Sequence, residues 1–285
     1  MYEYLFLFAV ALIWMIFASV QDLKVREVAN WLNFSLVSIA LAYRLFYSIG
    51  VENYTFFLSG ILGVLVFFLI SQAFYYGKVF GGGDAKLLVG MGAVLPFNSL
   101  NEFLLQGSFF LLLLFSVGAV YSLIASVVFA FKNKNKFFKS FMKFFKEFDW
   151  RFYGLLFLFV FGIVSYGYKV SYGLIFAAVL LTLALLFIYL RAVDKSCMLV
   201  YVKPRDLREG DWIGEEIVIK GKEIGNSVHG LSLEEIKKLL KRGKSVLIKQ
   251  GVPFVPVFLI AYIITLFFFF LEADILSLFL RLFQL

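Results

Sequence analysis

The stretch Gly81-Gly82-Gly83-Asp84-Ala85-Lys86 determines how this chain must fold, because it places a carboxylate between two long apolar segments. A charge at the edge of a membrane is costly, so a carboxylate in this place indicates a functional role. The glycines predict that the backbone beside Asp84 needs a close approach or a positive φ angle. A second carboxylate, Asp22, ends the first apolar segment. We expect the two aspartates to meet at the same face of a membrane.

The composition predicts a multi-pass membrane protein. Of the 285 residues, 62% are hydrophobic, which is far more than the core of a soluble domain requires. We therefore predict an all-α polytopic fold with about eight transmembrane helices (six to eight possible) and a small inserted α+β domain. The apolar segments lie at about 2–20, 31–49, 54–76, 85–98, 103–131, 152–168, 170–190 and 252–271.

The basic residues predict the orientation of these helices. The net charge of +8 is better explained by membrane topology and anionic lipid than by nucleic acid, for which we predict no binding. The loops at 21–30, 77–86, 132–151 and 191–251 contain all 27 Lys and Arg residues except Arg44, Lys169 and Arg281. The positive-inside rule then places these loops in the cytoplasm and both termini outside the cell. Asp22 and Asp84 therefore both lie on the cytoplasmic side of the predicted cell membrane.

Two polar segments interrupt the apolar pattern. In 132–151, lysines recur every three or four residues with phenylalanines between them, which predicts a basic amphipathic helix on anionic lipid. In 191–251 we predict short strands at Cys197–Val202, Glu216–Ile219 and Ser245–Lys249. Ser232 begins a capping box for a helix over Leu233–Arg242, and Gly243 ends that helix.

These segments divide the chain into five parts. We predict a catalytic membrane region at 1–131, the basic surface segment at 132–151 and further transmembrane helices at 152–190. A cytoplasmic α+β domain follows at 191–251, and 252–285 contains the last transmembrane helix and an external tail.

Cysteine and histidine are too scarce for several kinds of site. Cys197 is the only cysteine, which excludes an intrachain disulfide and paired CxxC zinc motifs. His229 is the only histidine, so a hydrolase that needs two histidines is excluded, and we interpret His229 as a surface residue. We expect no metal and no cofactor.

Asp22 is followed by two polar residues at helical spacing. If the first helix continues past the bilayer, Asp22, Arg26 and Asn30 share one face. Arg26 could then pair with a carboxylate or orient a peptide carbonyl, and Asn30 could bond to backbone. An ordinary polar loop explains the same residues, and Lys86 could simply anchor a helix at the interface.

Two carboxylates at one depth can supply acid and base chemistry without a metal. Close carboxylates do not both ionise easily, so they share one proton. One then acts as a base toward water, and the other acts as an acid toward the scissile carbonyl. The pattern therefore indicates an aspartic protease within the bilayer.

The motifs resemble those of a known family. GGGDAK matches the GxGD motif of membrane aspartic proteases through Gly81, Gly83 and Asp84, and DLKVREVANWL resembles the first catalytic segment of type IV prepilin peptidases. The later stretches from Pro204 and Gly251 resemble archaeal prepilin or preflagellin peptidases.

The resemblance implies catalytic roles for Asp22 and Asp84 and supporting or substrate-binding roles for other motif residues. The supporting residues are Arg26, Asn30, Gly81, Gly83, Lys86, Pro253 and Pro256. It also implies that the substrates are type IV pilin-like precursors with class III signal peptides. The paired CxxC domain of bacterial relatives that also methylate is absent from the sequence, so we expect no methyl transfer.

The last proline pair carries a separate expectation. Pro256 lies three residues beyond Pro253, so a helix that had already begun there would leave backbone groups unpaired and open to an extended substrate. A simple helix start explains the pair equally well.

Two other functions fit the same aspartates. A transporter could use Asp22 and Asp84 for protons or cations, although no repeated halves are evident. A non-catalytic assembly factor would keep its function when the aspartates are replaced.

Overall fold

A computed structural model describes residues 2–77, 79–97, 99–147, 154, 157–162, 173–215, 217–219, 222–225, 227 and 230–271. His229, the tail beyond 271 and most of 148–172 are outside this set, and the expectations for them stay predictions. The chain divides into two compact units, which are the described residues of Met1–Ser122 with Val252–Leu285 and those of Leu123–Gly251.

The described residues are mainly helical. The helices are α1 (Tyr2–Val25), α2 (Asn30–Gly50), α3 (Thr55–Tyr76), α4 (Gly82–Val94), α5 (Leu100–Lys132), α6 (Lys134–Glu147), α7 (Gly173–Ser196), α8 (Leu233–Arg242) and α9 (Val255–Phe270). The strands are β1 (Leu199–Val202), β2 (Trp212–Ile213), β3 (Ile217–Ile219), β4 (Lys222–Ile224) and β5 (Val246–Lys249), and a single 3₁₀ turn covers Pro204–Asp206.

Four of these helices are long and apolar enough to cross a membrane. The candidate spans are Glu3–Val25, Asn30–Gly50, Thr55–Tyr76 and Leu100–Lys132, whereas the apolar α9 is shorter. The apolar segment predicted at 85–98 forms a shorter helix than a full span needs. It forms α4, whose 13 residues give a length of about 20 Å, against a hydrocarbon core of about 30 Å. The predicted total of eight spans stays a prediction.

In the first unit, α4 packs closely against α3. A Cβ atom on Gly63 would overlap the carbonyl oxygen of Gly92, and a Cβ atom on Gly92 would overlap that of Gly63. Only glycine permits two helix backbones to approach this closely. The contact holds α4 inside the unit, where Leu88 and Met91 are fully buried.

A buried arginine binds the C-terminal end of α4. Arg44 of α2 has no solvent exposure. Its guanidinium donates to the carbonyl oxygens of Ala93, Leu95 and Phe56 at 2.8–2.9 Å and to the Ser59 hydroxyl at 3.0 Å. The Phe56 ring lies 4.5 Å from its central carbon. The last carbonyls of a helix have no partners within the helix, so Arg44 supplies donors where α4 lacks them.

The second unit contains the predicted α+β elements. β1, β5 and β2 form an antiparallel sheet in the order β1-β5-β2, and β3 pairs with β4. The helix predicted at Leu233–Arg242 has those bounds, with the Ser232 capping box and a left-handed Gly243 at its end. The separate domain at 191–251 stays a prediction, because the compact unit begins at Leu123 and also contains α6 and α7.

The basic segment forms α6, but its phenylalanines do not all face away from the protein. Phe144 packs in a buried cluster with Ile188 and Ala192 of α7, and the Phe137 ring lies 5.5 Å from that of Tyr189. Phe138 is 63% exposed. Part of the apolar face therefore packs against protein rather than lipid.

Candidate two-aspartate site

Asp22 lies in the last turn of α1 and is only 6% exposed. Its Oδ2 atom accepts a hydrogen bond from the backbone N–H of Val255, at 2.9 Å, and the N–H of Phe254 also bonds to this carboxylate. Both donors belong to the N-terminus of α9, which packs against α1. The carboxylate is thus held by backbone from the far end of the chain.

Asp84 lies in the first turn of α4, ahead of the apolar part of that helix and outside the four candidate spans. Its Oδ2 accepts a hydrogen bond from the Gly81 N–H at 3.2 Å, and the residue is half-buried. Burial and, second, the negative charge of Asp22 raise the pKa of Asp84 to about 7. The Asp84 carboxyl group therefore keeps its proton to a higher pH than an ordinary aspartic acid does.

The structure places the two carboxyl groups close enough for one charge to act on the other, although they come from opposite ends of different helices. Their surroundings differ. Asp22 receives two backbone donors from α9, whereas the hydrogen bond described for Asp84 comes from its own helix start. An ionised group beside a protonated one is the arrangement needed for combined acid and base chemistry.

Arg26 and Asn30 lie near the aspartates, but not as the spacing predicted. α1 ends at Val25 and Arg26 adopts a φ of 53°, so the expected continuous helical face through Asp22, Arg26 and Asn30 is wrong. Arg26 still acts electrostatically on Asp22. Asn30 begins α2, and its Oδ1 accepts a hydrogen bond of 2.6 Å from Lys86 Nζ. Lys86 therefore ties the start of α2 to the N-terminal part of α4.

The conformational role predicted for the glycines is also wrong. Gly81 has a φ of −70°, and Gly83 is not among the glycines with positive φ. A Cβ atom on Gly83 would make ordinary contacts at 3.7 Å with Val28, whereas one on Gly60 would overlap Cδ of Arg44. Of these two glycines, Gly60 beside Arg44 is therefore under the stricter demand, and Gly83 beside Asp84 is not.

The expectation for the proline pair needs a similar correction. Pro253 precedes α9, and Pro256 is the second residue of that helix. The first N–H groups of a helix have no intrahelical partner, so Pro256 removes no hydrogen bond. The nearby backbone donors of Phe254 and Val255 bind Asp22 rather than standing free.

Three polar residues near these elements were not predicted. Tyr121 of α5 interacts electrostatically with Asp22. Ser19 lies three residues before Asp22, and Asn33 lies three residues after Asn30. Among the described residues, the Ser19 hydroxyl and both polar atoms of the Asn33 side chain are buried without a hydrogen-bond partner. Helical spacing from the motifs could have identified Ser19 and Asn33, whereas no local pattern points to Tyr121.

The donor set does not resemble a metal site. In the part of the chain that the structure describes, no three His, Cys, Asp or Glu residues are grouped so that they could hold a metal ion. The two carboxyl groups can act on water directly, as a proton acceptor and a proton donor.

Comparisons with known proteins point to the same part of the chain. Residues 9–133, which include both aspartates, match the model of the type IV leader peptidase family. A preflagellin peptidase of Methanococcus voltae is 29% identical over 134 residues, which cover 44% of this chain and 57% of the relative. The predicted resemblance to this family is therefore confirmed over residues 9–133.

Two further preflagellin peptidases match shorter stretches. That of Methanocaldococcus jannaschii is 37% identical over 89 residues, covering 31% of this chain and 38% of the relative. That of Methanococcus maripaludis is 30% identical over 82 residues, covering 29% and 35%. The chain thus spans between about a third and somewhat more than half of the length of these relatives.

Proposed function

We propose that this protein is a membrane-embedded aspartic endopeptidase of the GxGD type. It removes the short basic leader peptide from type IV pilin-like precursors. The observation that carries the proposal is the meeting of Asp22 and Asp84, in unequal surroundings, within the stretch that matches the leader peptidase family. Relatives named preflagellin peptidases support precursors of the preflagellin or prepilin type as substrates.

The reaction needs only the two carboxyl groups and one water molecule. One carboxylate takes a proton from water as the water oxygen bonds to the scissile carbonyl carbon, and the other carboxyl group protonates the carbonyl oxygen. The C–N bond then breaks as the first aspartic acid returns its proton to the leaving amine. The second aspartate recovers a proton from the tetrahedral intermediate, so the pair again shares one proton.

The proposed cleavage takes place at the cytoplasmic face of the cell membrane. The apolar helix of the precursor stays in the bilayer while its leader reaches the aspartates. Support comes from the basic loops that flank both aspartates. A cysteine introduced at Glu52 should react with an impermeant maleimide from outside, whereas cysteines at Lys24 and Lys86 should react only after the membrane is opened. Labelling of the last two from opposite faces would exclude a shared site.

Anionic lipid is the second proposed partner, and it is bound by α6. A cavity of about 860 Å³ lies among side chains of α5, α6 and α7. Its lining is mainly apolar and includes the two basic residues Lys134 and Lys139. Apolar walls beside lysines suit an anionic amphiphile. We expect phosphatidylglycerol to raise the thermal stability of the protein more than phosphatidylcholine does. Replacing both lysines with Gln should remove this difference. The control variant Lys241→Gln in α8 should retain it.

The function is tested with purified protein and a candidate precursor. The wild-type protein should release the leader, Asp22→Asn and Asp84→Asn should not, and the exposed Asp206→Asn variant should cleave normally. A chelator should have no effect, because the proposed chemistry uses no metal. Cleavage by either site variant at the wild-type rate would contradict the proposal. Loss of ion movement, rather than of cleavage, would favour a transporter.

A further inference from the structure

The last helix supplies a contact that neither motif contains. The hydrogen bond from the Val255 N–H to Asp22 joins residues 233 positions apart, and Val255 lies beyond the stretch that matches the leader peptidase family. Val255 is 1% exposed, so water does not compete for this bond. A segment outside the family motifs thus determines the surroundings of one of the two aspartates.

The position of Asp22 within its own helix makes this contact important. Asp22 lies in the last turn of α1, where free carbonyl groups and the helix dipole disfavour a negative charge. The N-terminus of α9 has the opposite polarity, and its first N–H groups need acceptors. A charge-assisted hydrogen bond from such a group is stronger than a neutral one. The α9 contact therefore favours the ionised form of Asp22.

Among the residues that the structure describes, few other charged or titratable groups act on Asp22. Arg26, just beyond α1, favours the negative charge on Asp22, while the charges of Asp22 and of Asp84 in α4 oppose one another. Tyr121 of α5 also interacts electrostatically with Asp22, but as a neutral phenol it does not oppose the carboxylate charge. The hydrogen bond described for Asp84 comes from the Gly81 N–H, at the start of its own helix, and not from another helix as for Asp22. When one proton is shared, it is therefore held by Asp84.

We propose that the N-terminus of α9, at Phe254 and Val255, is a positioning element of the active site that keeps Asp22 ionised as the base for the attacking water. Asp84 is then the acid that protonates the scissile carbonyl oxygen. The water proton moves to Asp22 as the new C–O bond forms, and Asp22 later gives this proton to the leaving amine. This assignment rests on the proposed peptidase function.

Replacing one backbone amide with an ester tests the proposal. Incorporation of 2-hydroxyisovaleric acid in place of Val255 removes the N–H and keeps the side chain. The loss of a hydrogen bond to a charged group should lower kcat about 10- to 100-fold. It should also move the acid limb of the pH–rate profile to higher pH, because ionised Asp22 loses a donor. The alkaline limb, which reports Asp84, should stay in place.

The same replacement at Val257 is a matched control. Val257 has the same side chain and is also buried, but its N–H donates to the Phe254 carbonyl oxygen at 3.0 Å. Its ester should leave the acid limb unmoved. An unmoved acid limb in the Val255 ester, or an equal shift in both esters, would overturn the proposal. An absence of aspartate-dependent cleavage in the wild-type protein would instead reject the peptidase function.

A second measurement does not depend on the folding of an ester variant. Carboxyl ¹³C NMR of Asp-labelled wild-type protein in micelles follows both aspartates, whose signals are assigned by their loss in Asp22→Asn and Asp84→Asn. Asp22 should ionise at lower pH than Asp84. The reverse order of ionisation would overturn the assignment of base and acid, whatever the kinetics of the esters.

Discussion

The two ends of α4 meet ionisable side chains in very different surroundings. At the C-terminal end, the fully buried Arg44 makes four hydrogen bonds to oxygen atoms and lies against the Phe56 ring. At the N-terminal end, the half-buried Asp84 accepts one described hydrogen bond and interacts with a second carboxylate. The positive charge of Arg44 complements the helix dipole, and an ionised Asp84 would do so as well. The difference shows that a buried charge with many fixed partners belongs to the fold, whereas one with few partners can exchange a proton.

The largest effect on stability is expected at the Arg44 end. Arg44→Met keeps much of the side-chain volume but leaves the carbonyl groups of Ala93 and Leu95 buried without donors. Each such group costs about 1–3 kcal/mol, so the free energy of unfolding should fall by about 3 kcal/mol or more. Denaturant unfolding in micelles measures this change.

The exposed Arg242 of α8 is the control for this variant, and Arg242→Met should change the unfolding free energy by less than about 0.5 kcal/mol. Arg44→Met molecules that remain folded should still cleave the precursor. Normal stability of Arg44→Met, or loss of cleavage without loss of stability, would break the contrast between the two ends of α4.

The next effect is a dependence on pH at the Asp84 end. Since Asp84 must be protonated to act as the acid and its pKa is about 7, kcat should fall about tenfold per pH unit above that value. The same shift affects stability. The folded protein holds the Asp84 proton more tightly than the unfolded chain, so this group lowers the unfolding free energy as pH rises from about 4 to 7.

Asp84→Asn is the control for the pH dependence of stability, because it removes the titrating group. The unfolding free energy of the wild-type protein minus that of Asp84→Asn should decline between about pH 4 and 7 and then stay constant. A difference that rises with pH in this window would contradict the environment described for Asp84. Arg44→Met should retain the decline, because the arginine lies at the other end of α4.

A smaller effect separates two glycines. Gly60→Ala places a Cβ atom against the fixed Arg44 side chain, so we expect a loss of about 1–3 kcal/mol of unfolding free energy from overpacking. Gly83→Ala meets only ordinary contacts with Val28, and it lies within α4, where alanine is favourable. It should be neutral or slightly stabilising. Thermal unfolding of the two variants measures the difference, and equal losses would argue against a fixed Arg44.

Much of the helical fold could be predicted, because in lipid the backbone must satisfy its own hydrogen bonds. The predicted 31–49 and 54–76 segments form α2 and α3 with bounds changed by a residue at most. Asp22 and Asp84 could be selected because charges stand out in apolar sequence. The end of α1 at Val25 could not be predicted, since it depends on how Arg26 turns toward α2.

The hydrogen-bond partners of the buried charges could not be predicted from the sequence either. Arg44 is an exception to the charge pattern of the sequence, and its role depends on the carbonyls of Ala93 and Leu95, about fifty positions away. The bond from Val255 to Asp22 has no local signal, because every residue except proline has a backbone N–H. Tertiary contacts of this kind decide which buried charges are structural and which are available for chemistry.

The smallest expected effect compares two prolines, one beside the backbone donor to Asp22 and one beside the Arg44 end of α4. Pro256 follows Val255 in the first turn of α9, where the proline ring restricts the backbone of the preceding residue, whose N–H binds Asp22. Pro256→Ala should lower the unfolding free energy by about 0.4–1 kcal/mol, through the freedom gained by the unfolded chain. It should also lower kcat about two- to fivefold. Pro96→Ala is the matched control beside the Arg44 end, and it should leave kcat per folded molecule unchanged. Equal kcat values for the two variants would show that the start of α9 needs no proline to orient its donors.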